Sequence, residues 1–301
     1  MTQRILVAVD LSPASLDALR DAHERAAATG ATLAVCHVLP NLYNLHTLFP
    51  QENQAGMLGL AELERRMRST LDESIRAIVG SAEVSVFVEQ GVDYAEIIRR
   101  AQAWSADLLV VGSQGHTGLP RLVLGSVAER VVHYAHCPVL VVRPGPERHI
   151  EAQHCVLVAT DLSDPSLPAV AAGISEARRL GARLVVAHSL DLSESAWRAA
   201  LGNLFGSTPV VPPEEVQRDM RDALRTTLRQ ALDEHAASGE VTVLDGSPAT
   251  AVVRYATELQ AGLLVIGTHG RTGLARVALG SVAARIVRTA DCSVLAVRLA
   301  S

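Results

Sequence analysis

Residues 108–126 read LLVVGSQGHTGLPRLVLGS, and residues 263–281 read LLVIGTHGRTGLARVALGS. In both stretches an aliphatic run leads into a G-x-x-G pattern, and nine residues separate its second glycine from a Gly-Ser pair. Nine of the fifteen positions from Gly112 to Ser126 are identical to those from Gly267 to Ser281. A strand, a glycine loop and a helix start in the same order indicate that the chain contains one kind of domain twice.

The similarity extends outward from these two stretches. ILVAVDLS at 5–12 matches VLVATDLS at 156–163, and GATLAVCHVL at 30–39 matches GARLVVAHSL at 181–190, each with a displacement of 151 residues. The glycine stretches are displaced by 155 residues, so the second copy carries a net insertion of four residues in its middle. This pattern is typical of an internal duplication.

Length and turn residues divide the chain between the two copies. A chain of 301 residues suits two domains of about 150 residues each. The stretch RPGPERHIEAQH at 143–154 contains two prolines and a glycine, which favour a linker. We therefore predict one domain at 1–146 and a second at 154–301.

Each copy alternates short aliphatic runs with helical segments. In the first copy we predict a helix from Ser12-Pro13 to Ala28, a loose stretch from Pro40 to Gly59 and a helix over 61–79. The predicted strands are Ile5–Val9, Leu33–Leu39, Val84–Glu89, Leu108–Val111 and Pro138–Val142. Strands separated by helices pair in parallel through right-handed crossovers. The pattern therefore predicts an α/β fold with two tandem, doubly wound, open parallel sheets and helices on both faces.

Composition narrows the functional classes. The net charge of −5 gives no general attraction to nucleic acid or to an anionic membrane, so neither is expected as a partner. All 27 basic residues are arginine, which excludes the lysine of a Walker A loop. The four cysteines form no C-x-x-C pair, and no metal site is predicted. The sequence enters a strand at once, and no apolar run approaches the ~20 residues of a membrane span, so a cytoplasmic protein is expected.

The glycine stretches favour phosphate binding. Successive backbone N–H groups in a glycine turn form an anion-binding nest, and a helix that begins after Gly125-Ser126 or Gly280-Ser281 directs its free N–H groups to the same place. Asp10 and Asp161 end the first strand of each copy, where a carboxylate can accept hydrogen bonds from ribose hydroxyls or a base amine. These features predict nucleotide binding in at least one half.

Simpler interpretations of the same residues stay open at this point. The glycines can merely turn the chain, and either aspartate can cap the helix that follows it. His37 and His188 follow buried strands and are interpreted as core or strand-end residues rather than as catalysts. No catalytic residue is predicted.

The chain has a G-x-x-G pattern after a hydrophobic strand, then nine residues and G-[S/T], and an aspartate that ends the first strand. This combination resembles the universal stress protein family. The resemblance covers both halves and implies a tandem member of the ATP-binding branch, with strand order 3-2-1-4-5 in each five-stranded sheet. It implies ATP as the bound cofactor, with or without Mg²⁺. In the first half it places base and ribose contacts at Asp10, Val38 and Val111, and phosphate contacts at Gly112, Gln114, Gly115, Gly125, Ser126 and Val127. In the second half it places the contacts at Asp161, Ser189, Ile266, Gly267, His269, Gly270, Gly280, Ser281 and Val282.

The chain departs from the family pattern at a few positions. Gln114 stands where the family commonly has a histidine, which the second copy keeps as His269. Ser189 replaces a typical hydrophobic residue near the base, and Asp93 stands where the second copy has Pro248. No departure removes a glycine, so both sites stay in the prediction.

The resemblance implies a cytoplasmic stress-response protein that senses adenine nucleotide and acts as a regulatory module without rapid turnover. Two alternatives stay open: a nucleotide-free dimerising scaffold and a slow ATP hydrolase. Fifth strands usually lie at sheet edges, so Pro138–Val142 and Ser293–Val297 are expected to pair the two domains within the chain. A homodimer of whole chains is a further option.

Overall fold

The computed structural model describes residues 2–39, 55–114, 124–144, 155–193, 195–196, 212–268 and 279–298. The chain divides into two compact units, residues 1–144 and 145–301. The domain limits at 146 and 154 that the linker predicts lie outside the described residues.

The first unit alternates strands and helices along the chain. Its elements are β1 (Arg4–Ala8), α1 (Pro13–Thr29), β2 (Thr32–Leu39), α2 (Ala55–Val79), β3 (Ser85–Gln90), α3 (Asp93–Ala103), β4 (Leu108–Gly112), α4 (Ser126–Tyr134) and β5 (Val139–Val142). Every strand pairs in parallel with its neighbours, in the order β3-β2-β1-β4-β5. The predicted order 3-2-1-4-5 is confirmed in this unit.

The second unit repeats the arrangement. Its elements are β6 (Cys155–Ala159), a 3₁₀ turn (Asp164–Ser166), α5 (Leu167–Leu180), β7 (Arg183–Leu190), α6 (Glu214–Asp233), β8 (Glu240–Asp245), α7 (Pro248–Glu258), β9 (Leu263–Gly267), α8 (Ser281–Thr289) and β10 (Ser293–Val297). These strands are also parallel and lie in the order β8-β7-β6-β9-β10. Numbered within the unit, this is again 3-2-1-4-5.

The central strands of both units are buried on both faces. Side chains without exposed surface include Leu6, Val7, Leu109, Leu140, Leu157, Val158 and Leu264. Helices on both sides of a sheet exclude water from both rows of side chains, which is why these strands read as continuous aliphatic runs rather than as alternating patterns.

The strand order determines where a ligand can bind. In the first unit the chain leaves β1 towards β2 and leaves β4 towards β5, in opposite directions along the sheet. Because such crossovers are right-handed, the helices that follow β1 and β4 lie on opposite faces. The carboxyl ends of the two strands therefore border a crevice, which is the usual ligand position in open α/β sheets. The ends of β6 and β9 form the same arrangement in the second unit.

The end of β4 has no room for a side chain at Gly112. A Cβ atom built there would lie 2.7 Å from the carbonyl carbon of Ala14 and 2.8 Å from the amide nitrogen of Ser15, both in the first turn of α1. Contacts with backbone atoms cannot be relieved by a rotamer change. Glycine at this position therefore lets α1 begin directly against the glycine loop.

One predicted helix boundary is wrong. The helix predicted over 61–79 begins at Ala55, so the loose stretch predicted up to Gly59 ends earlier. Gly56 and Gly59 each cost about 1 kcal/mol of helix propensity relative to alanine, so local propensity does not favour helix in this segment. A helix of 25 residues tolerates both glycines.

We predict that Gly112→Ala lowers the free energy of unfolding by about 3 kcal/mol, because the added methyl group overlaps the backbone of α1. The matched control is Gly30→Ala, where a Cβ meets nothing within 4 Å and the left-handed φ of 67° is the sole obstacle. That change should cost about 1 kcal/mol. Urea unfolding followed by circular dichroism measures both, and equal losses would contradict the steric account.

Candidate functional site

The turn between β1 and α1 is built around the carboxylate of Asp10. Its Oδ1 accepts hydrogen bonds from the backbone N–H of Ser12 at 2.9 Å and from the Ser12 hydroxyl at 2.5 Å. The Ser12 Oγ also accepts from the N–H of Ser15 and caps α1. It lies 3.3 Å from the carbonyl oxygen of Gln114, so the turn touches the start of the glycine loop. Ser12, rather than Asp10, is the helix cap.

The second unit repeats this turn. Oδ1 of Asp161 accepts from the N–H of Ser163 at 3.1 Å and from its hydroxyl at 2.5 Å. The residue after each aspartate has a left-handed backbone, with φ of 67° at Leu11 and 61° at Leu162. This conformation costs a leucine about 1 to 2 kcal/mol. Its presence at both copies of one turn marks a conformation that the surrounding structure enforces, as occurs at functional sites.

The helices after the two glycine loops begin with backbone N–H groups that no side chain caps. Gly125 and Gly280 are the residues before α4 and α8, and neither helix has a side-chain cap. The N–H groups of these two glycines donate to the carbonyl oxygens of Ser113 and Thr268, at 2.8 Å in each case. The glycines themselves thus close the loops. The donors left for an anion are the N–H groups of the first helical turn, which have no partner within a helix and lie at the positive end of its dipole.

A cavity of about 550 Å³ opens in the second unit at the carboxyl ends of β6, β7 and β9. The N-terminus of α8, the side of α7 and part of α6 complete its wall. The predicted site residues that line it are Asp161, Ser189, Ile266, Gly267, Gly280, Ser281 and Val282. Thus the structure brings together around one space every predicted second-half residue that it describes. His269 and Gly270 lie outside the described residues.

The matching residues of the first unit lie at the corresponding edge. Val38 is near the end of β2, Val111 and Gly112 end β4, and Asp10 follows β1. Gln114 follows Gly112 after one residue, and Gly125, Ser126 and Val127 form the start of α4. Gly115 lies outside the described residues.

Several residues lining the cavity were missed by sequence reasoning. They are Thr160, Asp191, Leu192, Met220 and Val252. One of them carried a usable signal, because Asp191 directly follows β7 much as Asp161 follows β6. Met220 carried none, since its position on α6 looks like any apolar residue of an amphipathic helix.

Two histidines form hydrogen bonds across neighbouring strand ends. Nδ1 of His188 lies 2.9 Å from the carbonyl oxygen of Thr160, and Nδ1 of His37 lies 2.6 Å from that of Val9. Because a carbonyl oxygen accepts hydrogen bonds, Nδ1 carries the proton in both rings. Nε2 is then an acceptor in the neutral tautomer. Nε2 of His37 is buried and has no hydrogen-bond partner among the described residues.

The cavity is electrostatically polarised. Asp161 and Asp191 lie at its β6 and β7 side, whereas the N-terminus of α8 lies at its β9 side. Since β6 separates β7 from β9, the two sides are about 10 Å apart. A ligand with an anionic group at one end and hydrogen-bond donors at the other is complementary to this arrangement.

Comparison with known proteins assigns the family. A model described as the universal stress protein family matches residues 1–143 and 154–298. The chain belongs to the universal stress protein family. Similar proteins include a universal stress protein of Mycolicibacterium smegmatis, which is 32% identical over 196 residues that cover 64% of this chain and 62% of that protein. The chain thus spans less than two thirds of that relative.

Two further universal stress proteins are similar to this one. A protein of Methanocaldococcus jannaschii is 33% identical over 143 residues, covering 48% of this chain and 81% of that protein. The crystal structure of a universal stress protein from Archaeoglobus fulgidus has a TM-score of 0.67 and 18% identity, and the match covers 98% of this chain and 96% of that chain. At 18% identity, the similarity to the Archaeoglobus fulgidus structure shows the fold alone.

Within the residues that the structure describes, no group of three or more His, Cys, Asp or Glu side chains could hold a metal ion. Over the same residues, no helix combines the length and apolar character needed to cross a membrane.

Cys36 of β2 pairs with Ala8, the last residue of β1. The matching residue of the second unit is Ala187, which lines the cavity. Burial of the thiol, with a smaller contribution from the negative charge of Glu89, raises the pKa of Cys36 to about 12. We predict that iodoacetamide at pH 8.5 leaves Cys36 unmodified in the folded protein and alkylates it in urea, because only the thiolate reacts. Peptide mass spectrometry measures both, with the partly exposed Cys292 as the internal control. Equal rates at Cys36 and Cys292 in the folded state would contradict this.

Proposed function

We propose that this universal stress protein binds ATP in the cavity of its second half and at the matching position of its first half. In this proposal it acts in the stress response as a regulatory nucleotide sensor without rapid turnover. The observation that carries the proposal is that Asp161 and the N-terminus of α8 line one and the same cavity. Its position at the ends of β6 and β9 is where open parallel sheets bind nucleotides.

The dimensions and polarity of the cavity support this ligand. A volume of about 550 Å³ lies within the range of roughly 300 to 1,000 Å³ found for small-molecule sites. The phosphates would bind the N–H groups at the start of α8, and the ribose hydroxyls would donate to Asp161. The base would lie towards β7, where Leu190, Leu192 and Met220 give an apolar wall.

Mg²⁺ bound to the phosphates of ATP is compatible with this proposal. Mg²⁺ keeps several waters and is usually held by substrate phosphates with one or two carboxylates, rather than by a cage of protein ligands. Of the two carboxylates that line the cavity, Asp161 follows the strand that pairs with β9, so it is the one that could supply such a contact. The metal would neutralise phosphate charge there.

The side chains of the described residues that line the cavity support slow turnover. Phosphoryl transfer is usually accelerated by a lysine, arginine or metal aimed at the developing charge. The chain contains no lysine, and no arginine is among the described residues that line the cavity. His188 is the one lining residue with a basic ring among those described, and its Nδ1 proton is held by the carbonyl of Thr160.

We predict that Asp161→Asn weakens ATP binding in the second half about tenfold. An amide keeps the acceptor that Ser163 uses but loses the charge that strengthens hydrogen bonds to hydroxyls, which contribute about 1.5 to 3 kcal/mol each. Isothermal titration calorimetry of the full chain measures this loss. Asp164→Asn is the matched control, because Asp164 is exposed and does not line the cavity. An unchanged affinity in Asp161→Asn would remove the ribose assignment.

A second measurement tests the regulatory function. Incubation with ATP and Mg²⁺, followed by phosphate detection, should show fewer than about one turnover per second, the low end of the usual enzyme range. Multiple turnovers per second would identify a hydrolase. Freshly purified protein can also be extracted with acid to recover bound nucleotide. If no nucleotide is recovered and calorimetry detects no ATP binding, the scaffold function is favoured instead.

A further inference from the structure

The β6–β7 wall of the second-half cavity offers acceptors rather than donors. The hydroxyl of Ser189 donates to the carbonyl of Gly246 at 2.6 Å. The hydroxyl of Ser166 donates to the carbonyl of Ser163, so Thr160 must supply the hydrogen of the 2.7 Å bond between Thr160 and Ser166. With these protons engaged, the side chains of this wall can only accept further hydrogen bonds.

Asp191 is the charged group at the far end of this wall. It directly follows β7 and lines the cavity. Its Oδ1 accepts from the backbone N–H of Ser193 at 3.0 Å, which forms a local Asx turn. That N–H is the sole donor to the carboxylate within the described part of the chain, and the carboxylate has accepting capacity left for a ligand.

The negative charge of Asp191 disfavours a phosphate group at this end of the cavity. It lies on the β7 side of Asp161, and α8 lies on the β9 side. Two carboxylates repel an anion, so a nucleotide in this cavity must direct its base towards Asp191. The neighbouring apolar residues Leu190, Leu192 and Met220 suit a planar base.

The first half lacks this group. The displacement of 151 residues that relates β2 to β7 pairs Asp191 with Pro40, which has no side-chain acceptor. A function of Asp191 is therefore confined to the second half, and the first half serves as an internal reference.

We propose that Asp191 recognises the exocyclic amino group of the bound base, so that the second half selects 6-aminopurine nucleotides. This inference rests on the proposed nucleotide binding. A carboxylate accepts and never donates at neutral pH, and hydrogen bonds to a charged partner are about twice as strong as neutral ones. Asp191 is thus a specificity-determining residue, with Ser193 holding its carboxylate in place.

The test compares ATP with purine riboside triphosphate, which lacks only the amino group. Calorimetry of the full chain is done in an Asp10→Asn background, which weakens binding in the first half and so separates the two sites by affinity. ATP should bind about tenfold more tightly than the analogue, as expected for one charged hydrogen bond. In Asp191→Asn the ratio should fall to about one, because Oδ1 keeps its bond to Ser193 and the amide nitrogen, a donor, then meets the amino group.

The controls separate this inference from the proposed function. Asp219→Asn removes a charge from an exposed residue next to Met220 and should keep the tenfold ratio. Failure of both ATP and the analogue to bind would overturn the proposed function itself. Equal affinities in the parent protein, or an unchanged ratio in Asp191→Asn, would overturn only the role of Asp191. Tighter binding of GTP than of ATP would overturn the preference for a 6-amino group, since guanine offers two donors to a carboxylate.

Discussion

The first turn of α1 lies against the end of β4, and this contact organises the carboxyl edge of the first unit. It requires glycine at 112, because the backbone of Ala14 and Ser15 occupies the space of any Cβ atom. The same contact brings Ser12 to Gln114, so the turn that holds Asp10 and the glycine loop become one surface. Neither segment could position a ligand alone, since each supplies only one end of a binding surface.

The two halves show which parts of this surface are fixed and which vary. The Asp-Leu-Ser turn, the left-handed leucine, the histidine bonded to the preceding strand and the loop-closing glycine are present in both. The side chains around them differ, with Val9 and Val38 in the first half where the second has Thr160 and Ser189. The backbone framework is therefore common to both halves, whereas the chemistry presented to the ligand is specific to each.

Most of the framework could be predicted from the sequence, and the finer features of the site could not. Aliphatic runs and glycines are local signals, so they predicted the strands and the place of Asp161 and Gly280. The engagement of the Gly280 N–H by Thr268 depends on the path of a loop, which no local pattern encodes. Leu162 gave no sign of its left-handed backbone, because that conformation is typical of glycine or asparagine. Asp191 and Met220 line the same cavity only because α6 packs beside β7.

The donors at the start of α8 are main-chain amides, and this has a consequence for control of the protein. A peptide N–H does not titrate in the physiological range and is not a usual target of covalent modification. The 301 residues also contain no lysine that could be acetylated. In the proposed function, the contribution of these amides to anion binding is therefore constant across cellular conditions. Regulation of the proposed site would then act through the concentration of the ligand or through side chains, such as the carboxylates at the opposite end of the cavity.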